Sequence, residues 1–458
     1  MMKDKIYIKS PVFFQNILIS IFNYLAYSKR YGARYSFYRQ LFKQNRTLSI
    51  EELQDIQKIK FQKLVKHAFD KSPFYRDIYK SIDKVEGIEQ ISLLPIISKE
   101  TIRENIKSIR TTPLKKNQVF ETGGTTGVSL QVVYTEENLQ ERFALLDTFR
   151  SEYGYKLGMK TAWFSGKRII NQRDVKNNRF WKTDQLYHIR YYSTFHLKKE
   201  YLKYYLENLI KYKPQFLIGY PNSMFELAKY GLENGYSFPE NTVKAIFPTA
   251  ESFSLESKKT LELFFKTKAY NQYASSEGAP FIIQCRSGNL HMELQSGVFE
   301  VLNSDDRPAK MGRLVVTSFT SYGTPLIRYD IGDGIELMDG KCTCENNNPM
   351  ISHILGRTND FIYSNEMGKV HQVRIADTVK KVQGVKNFQV IQDSLTEITI
   401  FIVIDPLLFT KEMKVIFFEN WRDRIGTKIK LNIIETDHIA AASSGKYQMV
   451  INNIKHLL

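Results

Sequence analysis

The segment "ETGGTTGVSL", residues 121–130, contains three glycines and four hydroxyl side chains within ten residues. The apolar stretches beside it, "VF" at 119–120 and "LQVVYT" at 130–135, predict two paired strands with this segment at their tip. Glycine lets a backbone approach a ligand closely, and consecutive N–H groups with Thr and Ser hydroxyls suit phosphate oxygens. The common P-loop is excluded because no Lys follows the last glycine. A phosphate-binding loop and a plain linker both fit.

The composition predicts a folded, basic protein. With 458 residues, 43% hydrophobic and 25% charged, the chain suits two domains or one large domain with an appendage. The net charge of +17 comes from 65 Lys and Arg against 48 Asp and Glu, which favours anionic partners. The excess is mostly Lys scattered through helices, without a long basic block or a nucleic-acid-binding signature. We therefore expect a solvated basic surface and no nucleic-acid partner.

The three cysteines indicate a reducing compartment. Their odd number argues against a secreted disulfide framework, and no signal peptide is convincing. We therefore expect a cytoplasmic protein, and the sequence leaves its oligomeric state open.

The segment "PVFFQNILISIFNYLAY", residues 11–27, predicts an amphipathic helix. Asn16, Ser20, Asn23 and Tyr27 recur at steps of four, three and four, which puts them on one side. The remainder of the helix is apolar, with Phe13, Ile17, Leu18, Ile21, Phe22 and Leu25. The helix either docks on the protein's own core or lies in a membrane interface, so peripheral contact with the inner membrane face is one of two expectations.

The rest of the chain divides into three patterns. Residues 1–110 are predicted to be helical, as in "IEELQDIQKIKFQKLVKHAF" at 50–69. Over 111–355, apolar runs such as "TAWFS", "FLIGY" and "AIFP" alternate with helical stretches, which is typical of an α/β fold. Residues 356–458 contain strand-like and helix-like segments of a small α+β domain. We expect a large multi-sheet domain with a helical N-terminal region, followed by that small domain.

Four later segments join the glycine-rich loop in a recognisable order. They are "YNQYASSEGAP" at 270–280, "PLIRYDIGDGIEL" at 325–337, "LGRTND" at 355–360 and "SSGKYQMVI" at 443–451. In this order the chain resembles the adenylate-forming ligases. The resemblance covers about residues 50–455 and is nearest to phenylacetate–CoA ligase and related proteins of capsular polysaccharide gene clusters. It implies an AMP-binding core at 111–355 and a mobile lid domain at 356–458.

The resemblance implies ATP and Mg²⁺ as cofactors, with phosphates held by the loop. The loop residues implied to bind the β and γ phosphates are Thr122, Gly123, Gly124, Thr125, Thr126, Gly127 and Ser129. Ser276 matches the hydroxyl that contacts the α-phosphate, and both Ser276 and Thr125 take catalytic roles. Glu277 matches the Mg²⁺ ligand, a hard oxygen donor that this ion prefers.

The resemblance also assigns residues to the nucleoside. Tyr273 matches the aromatic residue that stacks on adenine, with core packing as the alternative. Glu251 corresponds to a segment beside the adenine, although a helix cap or a surface carboxylate also fits. Asp333 matches the carboxylate that accepts from both ribose hydroxyls, and Arg357 matches the arginine that reaches ribose or phosphate.

Lys446 matches a catalytic lysine delivered by the lid domain. In the family this lysine bridges the α-phosphate and the substrate carboxylate, a task that suits a point charge on a long stem. The family's hinge residue corresponds to Asn359, where the family usually has Asp or Lys. The uncharged residue leaves the details of the domain rotation open.

The cysteines cluster with one histidine in two short segments. "CRSGNLH" contains Cys285 and His291, and "KCTCE" contains Cys342 and Cys344. Three thiolates and an imidazole suit a closed, structural zinc site. The alternative is three buried cysteines that pack as small apolar residues.

The substrate is the least determined feature of the sequence. The segment at 196–224 resembles one wall of the family's acyl pocket, with His196, Tyr220, Pro221 and Ser223 as candidate lining residues. We expect a ligase that transfers an activated carboxylate to CoA, or to an amine or hydroxyl of a sugar precursor, in surface polysaccharide biosynthesis. The alternatives are a catabolic aryl-CoA ligase and a catalytically degenerate nucleotide-binding scaffold.

Overall fold

The computed structural model describes most of the chain. The described residues are 7–8, 10–80, 82, 85–114, 117–121, 130–251, 253–357, 360–379, 382–440, 442 and 447–457. The predicted phosphate-binding residues Thr122 to Ser129, the predicted hinge residue Asn359 and the predicted catalytic Lys446 lie outside the described residues.

Helices dominate the N-terminal region, as the sequence predicts, and recur between strands thereafter. The α-helices are α1 (Val12–Arg30), α2 (Ala33–Gln44), α3 (Ile50–Lys71), α4 (Pro73–Ile78), α5 (Lys99–Glu104), α6 (Ile106–Ile109), α7 (Glu136–Glu152), α8 (Gln172–Lys176), α9 (Lys199–Tyr212), α10 (Pro221–Glu233), α11 (Leu255–Phe265), α12 (Gln372–Ala376) and α13 (Lys411–Ile425). Short 3₁₀ helices cover Asn45–Thr47, Ile88–Leu93, Leu294–Ser296, Asp377–Val379 and Lys455–Leu457.

The strands follow the apolar runs of the sequence. They are β1 (Gln118–Glu121), β2 (Gln131–Tyr134), β3 (Thr161–Ser165), β4 (Trp181–Asp184), β5 (Ile189–Ser193), β6 (Phe216–Gly219), β7 (Ala245–Pro248), β8 (Gln272–Tyr273), β9 (Ile282–Gln284), β10 (Leu290–Met292), β11 (Gly297–Leu302), β12 (Met311–Ser318), β13 (Tyr329–Met338), β14 (Met350–Arg357), β15 (Phe361–Ser364), β16 (Gly368–His371), β17 (Val385–Gln392), β18 (Glu397–Ile404), β19 (Lys430–Glu435) and β20 (Val450–Asn452).

The predicted strand pair around the glycine-rich segment is confirmed. Strands β1 and β2 are antiparallel, and Glu121 lies opposite Gln131. The other described sheets have the orders β4-β5-β3-β6-β7, β11-β12-β13-β14-β10-β9-β8, β15-β16 and β19-β18-β17-β20.

The five-stranded sheet is buried on both faces. Successive side chains of its strands point to opposite faces, and both sets are apolar. Leu217 and Ile246 belong to the core formed with α9, α10 and α11. Phe216, Ile218 and Phe247 point to the opposite core, which α7 covers. Strands β3, β5, β6 and β7 run parallel, and parallel sheets of this kind need helices on both sides.

The chain forms two compact units. The first contains Met1–Glu300, Val315–Ile331 and Leu337–Ser352, and the second contains Val301–Leu314, Gly332–Glu336 and His353–Leu458. In the second unit, α13 packs Phe417 and Trp421 against the core of the four-stranded sheet. The α/β class is confirmed, while the boundaries 1–110, 111–355 and 356–458 stay a prediction.

Helix α1 docks on the first unit at a sheet edge. Strand β4 is the edge strand of its described sheet, and the outward N–H groups of an edge strand have no neighbouring strand to receive them. Asn16 Oδ1 accepts from the Thr183 N–H at 3.0 Å, and Ser20 Oγ accepts from the Gln185 N–H at 2.9 Å. The predicted docking is therefore confirmed, with the polar side of the helix facing the protein. Among the described helices, none is long and apolar enough to cross a bilayer.

Asn23 supplies a buried polar contact of this helix. Its Nδ2 donates to Asp184 Oδ2 at 2.6 Å and to the Tyr191 hydroxyl at 2.9 Å. We expect Asn23→Leu to lower the free energy of unfolding by roughly 2 kcal/mol, because a buried carboxylate oxygen loses its donor. Urea denaturation measures this change. Phe22→Leu, on the exposed side of the same helix, is the control and should change it by less than about 0.5 kcal/mol. Equal effects of the two substitutions would contradict the assigned contact.

Candidate functional site

The carboxyl ends of the parallel strands bring several predicted site residues to one edge of the five-stranded sheet. Tyr220 follows β6 and its N–H donates to the Phe164 carbonyl at 3.0 Å, while Glu251 follows β7. Gly219 makes this close approach feasible, because its φ is +133° and a Cβ there would lie 1.9 Å from the Phe164 oxygen. In open α/β sheets, ligands bind at the carboxyl edge of the strands.

The predicted acyl-pocket residues lie on the segments that leave this edge. His196 follows β5, and its Nδ1 lies 2.8 Å from Ser193 Oγ. Burial, with Lys198 nearby, lowers the pKa of His196, so the ring is neutral at neutral pH. Pro221 and Ser223 are buried in the first turn of α10, directly after Tyr220. These four residues are candidates to line one wall of an acyl pocket, and their contact with substrate stays a prediction.

Glu251 has a structural contact that favours the helix-cap alternative. Its Oε2 accepts from the backbone N–H of Asn222 at 3.3 Å and from Asn222 Nδ2 at 3.2 Å. Asn222 lies in the first turn of α10, where a carboxylate is stabilised by free N–H groups and the helix dipole. The contact of Glu251 with adenine stays a prediction.

The segment "YNQYASSEGAP" lies beside the same edge of the five-stranded sheet. Ala269 forms a parallel bridge with Ile246 of β7, and the chain then runs through β8 into a turn at residues 274–279. Tyr273 is half-buried and Ser276 is exposed, while the side chain of Glu277 is only 6% exposed. The neighbouring Tyr270 packs against Tyr153 with ring centroids 3.7 Å apart. The residue assigned to adenine thus ends β8, and the residues assigned to the α-phosphate and the metal lie in the turn that follows it.

Arg142 of α7 donates hydrogen bonds to the backbone of this turn, and the sequence interpretation missed it. Its Nη1 donates to the carbonyls of Gly278 at 2.9 Å and Ala279 at 3.0 Å, and to Thr320 Oγ1 at 2.9 Å. Its Nη2 donates to the Ser275 carbonyl at 3.3 Å. A planar guanidinium can satisfy several fixed carbonyls at once, so Arg142 holds the turn in one conformation. One signal could have revealed Arg142. It is a charged residue in the middle of a helix that is buried on most sides.

Tyr134 holds the same turn from the end of β2. Its hydroxyl donates to the Ser276 carbonyl at 3.0 Å. Burial raises the pKa of Tyr134 to about 12, so the hydroxyl keeps its proton at neutral pH. Gly278 has φ +96°, and a Cβ there would lie 2.4 Å from the Tyr134 oxygen. The strand beside the glycine-rich loop is thereby connected to the turn that carries Glu277.

Lys99 is a second residue that the sequence interpretation missed. Its Nζ lies 3.1 Å from Glu277 Oε1, and its side chain is 20% exposed. Lys99 is the first residue of α5, which Ser98 caps by accepting from the Thr101 N–H. The helix start therefore places a cation beside the predicted metal ligand, 178 residues away in the chain. This separation explains why no local sequence pattern reveals the pair.

The second unit brings two predicted nucleotide residues together. Asp333 lies on β13 and Arg357 ends β14, and Arg357 Nε is 3.2 Å from Asp333 Oδ1. The Asp333 side chain is 13% exposed, and the Arg357 side chain is 44% exposed. Burial raises the pKa of the nearby Asp360, an effect that Lys455 and Arg357 oppose. The two segments that the resemblance matched thus form one charged pair.

The predicted cysteine–histidine cluster is assembled in the first unit. Cys285 and Cys342 sulfurs are 3.6 Å apart, and Cys344 Sγ lies 3.5 Å from His291 Nε2. All four ligand atoms lie within 4.8 Å of one another. A tetrahedral zinc ion requires about 3.8 Å between two sulfurs and about 3.5 Å between sulfur and nitrogen. His291 Nδ1 lies 3.0 Å from the Asn348 carbonyl, which orients the ring with Nε2 toward the cysteines.

Comparisons with known proteins agree with this architecture. The family described as CapK C-terminal domain matches residues 362–453. Protein CapK of Staphylococcus aureus is 31% identical over 99% of this chain and 100% of its own length. The phenylacetate-coenzyme A ligase of Thermus thermophilus is 23% identical over 69% of this chain and 73% of its own. Among solved structures, 2-hydroxyisobutyryl-CoA ligase in the postadenylation state has a TM-score of 0.72 at 15% identity and covers 91% of this chain and 92% of its own.

The solved structures define the class of fold, which is that of the adenylate-forming ligases. Within that class the full-length similarity is to CapK, and the chain belongs to the CapK family.

We expect Arg142→Met to lower the free energy of unfolding by on the order of 3 kcal/mol. The substitution removes the four hydrogen bonds that Arg142 donates, and the buried Ala279 carbonyl is left without the guanidinium donor. Chemical denaturation measures the change. The control is Arg34→Met, because Arg34 is exposed, and its effect should stay within about 0.5 kcal/mol. Equal stabilities of the two variants would mean that the turn holds without Arg142.

Proposed function

We propose that the chain uses ATP and Mg²⁺ to convert a carboxylate into an acyl-adenylate, and then transfers the acyl group to an acceptor. The observation that carries this proposal is the turn at 274–279. It holds Ser276 and Glu277 at the carboxyl edge of the sheet, with Tyr134 and Arg142 bonded to its carbonyls. A rigid turn at this edge suits a reaction whose transition state gathers charge on phosphorus oxygens.

The first step joins the substrate to the α-phosphate. A carboxylate oxygen attacks the α-phosphorus, the bond to the bridging oxygen breaks, and pyrophosphate leaves. We propose that residues 122–129 hold the β and γ phosphates, that Ser276 contacts the α-phosphate and that Lys446 bridges phosphate and carboxylate. Tyr273, Asp333 and Arg357 are proposed to bind the nucleoside.

Glu277 is the proposed Mg²⁺ ligand, and its surroundings fit that role. Its carboxylate is a hard oxygen donor held in a nearly buried position, and Lys99 Nζ lies 3.1 Å from Glu277 Oε1. When bound, Mg²⁺ supplies positive charge for the phosphate oxygens. Lys99 adds a second positive charge to the same place.

In the second step the acceptor attacks the carbonyl carbon of the adenylate, loses its proton, and AMP leaves. We propose CoA, or an amine or hydroxyl of a sugar precursor, as the acceptor, in surface polysaccharide biosynthesis. The family resemblance supports that setting. We propose residues 356–458 as the lid that alternates between the two steps, beside a helical region at 1–110 and an AMP-binding core at 111–355. We place the reaction in the cytoplasm, peripheral to the inner membrane face.

The alternative activity is that of a catabolic aryl-CoA ligase. The similarity to a phenylacetate-coenzyme A ligase favours it. Pyrophosphate release that requires CoA, and that ignores sugar nucleotides, would support this alternative. A nucleotide-binding scaffold would bind ATP and exchange no pyrophosphate with any acid.

We also propose that Cys285, His291, Cys342 and Cys344 hold one structural zinc ion. The interatomic distances support a tetrahedral site, and the Asn289 amide donates to Cys342 Sγ at 3.1 Å. Hydrogen bonds of this kind stabilise a thiolate. Four protein ligands leave no open coordination position, which is typical of a structural rather than a catalytic site.

ATP–pyrophosphate exchange over a panel of carboxylic acids, including uronic and amino acids, tests the proposed activity. With the true substrate, we expect Glu277→Gln to lower the exchange rate by roughly 100-fold. The variant lacks the proposed carboxylate ligand of Mg²⁺, the ion that balances the charge on the phosphate oxygens. Glu104→Gln, an exposed carboxylate on the same helix as Lys99, is the control and should retain the rate. Wild-type exchange in Lys446→Ala would refute the role proposed for that lysine.

Elemental analysis of protein purified without chelator tests the zinc site. We expect about one zinc per chain, lost in Cys344→Ser because a closed site needs all four ligands. Thr343→Ala, the residue between the two cysteines, should keep its zinc, since Thr343 Oγ1 instead lies 3.0 Å from Ser287 Oγ. Wild-type protein without zinc would contradict the proposal.

A further inference from the structure

Helix α1 is oriented opposite to the usual surface helix. Its polar side chains face the protein, where Asn16 and Ser20 accept from the edge strand and Asn23 bonds Asp184. Gln15, Asn23 and Tyr27 are its buried residues. A helix that docked for apolar burial would show the reverse pattern. The outward side of α1 therefore carries apolar side chains that the docking leaves uncovered.

The outward side forms one apolar face, here called the α1 face. Its seven side chains are each between 38% and 67% exposed, and they are Phe13, Phe14, Leu18, Ile21, Phe22, Tyr24 and Leu25. At 100° per residue these positions cover an arc of about 180° along a helix roughly 28 Å long. A continuous apolar patch of this kind marks an interaction surface rather than ordinary exposure.

Positive charge is concentrated in the part of the sequence that contains the α1 face. Residues 1–49 contain nine Lys and Arg against a single Asp, a net +8 that is nearly half of the total of +17. The basic excess is therefore less evenly distributed than the sequence interpretation held. Helix α1 itself contains no acidic residue, and Lys29 at its end is exposed. Arg34, in the next helix, is also exposed.

We propose that the α1 face inserts into the interface of an anionic lipid bilayer, with α1 parallel to the membrane plane. An apolar face rich in Phe, combined with Lys and Arg and without acidic residues, is the composition that binds such interfaces. Anionic headgroups complement the +8 segment, whereas a second copy of the chain would bring a second +8 segment against it. The polar contacts with β4 hold the helix on the protein while its apolar side enters the lipid.

This inference deepens the proposed location at the membrane, and its test is independent of the ligase chemistry. Lipid binding needs neither ATP nor substrate, so an inactive protein can still bind vesicles and an active one can fail to bind. The two proposals can therefore fail separately.

Vesicle flotation tests the inference with the full chain. The vesicles contain phosphatidylcholine alone or with about 30% phosphatidylglycerol, an anionic fraction chosen to give a negative surface. We expect the wild type to float with the anionic vesicles and to lose binding as salt is raised. The triple variant F14S/I21S/L25S should bind at least roughly tenfold more weakly, because three inserted side chains are removed. Lys29→Gln with Arg34→Gln should weaken binding to anionic vesicles only.

A matched control separates this face from general surface hydrophobicity. L232S/L255S/L263S removes three exposed leucines elsewhere in the same unit and should float like the wild type. Both triple variants should keep the wild-type melting temperature, because all six side chains are exposed. Undiminished flotation of F14S/I21S/L25S would overturn the proposal. So would dimerisation of the wild type in the absence of lipid that the same variant abolishes, because a second copy would then cover the face.

Discussion

The parallel strands of the five-stranded sheet impose the constraint on which the site depends. A parallel connection must cross over the sheet, so helices cover both faces and the segments that follow the strands leave at the same edge. Tyr220 after β6 and Glu251 after β7 meet there because their strands are paired in register, Gly219 opposite Pro248. The bridge between Ala269 and Ile246 extends the edge by one more segment, which leads to Glu277. Proposed site residues that are tens of positions apart in the sequence thus lie at the same edge of the sheet, and this requires no contact between their side chains.

The turn that carries Glu277 is held by buried polar groups rather than by apolar packing. Arg142, Tyr134 and Ser318 all donate to its carbonyl oxygens. Burying a guanidinium costs free energy, and the cost is offset only when its donors meet several fixed acceptors. The same contacts restrict the backbone of the turn to one conformation. This rigidity suits the proposed role of Glu277 as a Mg²⁺ ligand, because preorganised groups need no rearrangement during the reaction.

The edge strand β4 explains the inverted helix α1. An uncovered edge presents unpaired N–H groups that can pair with another chain. Asn16 and Ser20 satisfy those groups with side-chain oxygens, so the polar side of the helix had to face inward. The apolar side then faces away from the protein. The need to satisfy backbone N–H donors at a sheet edge accounts for both the docking of α1 and its exposed apolar face. The two interpretations of residues 11–27, docking on the protein and contact with a membrane interface, are therefore compatible.

The sequence by itself determined the elements and the family. Short apolar runs such as 161–165 and 245–248 became strands, and helical periodicity at 199–212 and 411–425 became helices, because these patterns depend on neighbouring residues. The four metal-ligand candidates were also visible, since cysteines are rare in this chain. Only the tertiary structure decided the partners: Lys99 beside Glu277, Arg142 beneath its turn, and Asn222 against Glu251. These contacts join residues 29 to 178 positions apart. No local pattern specifies such pairs, because they arise from the packing of whole strands and helices.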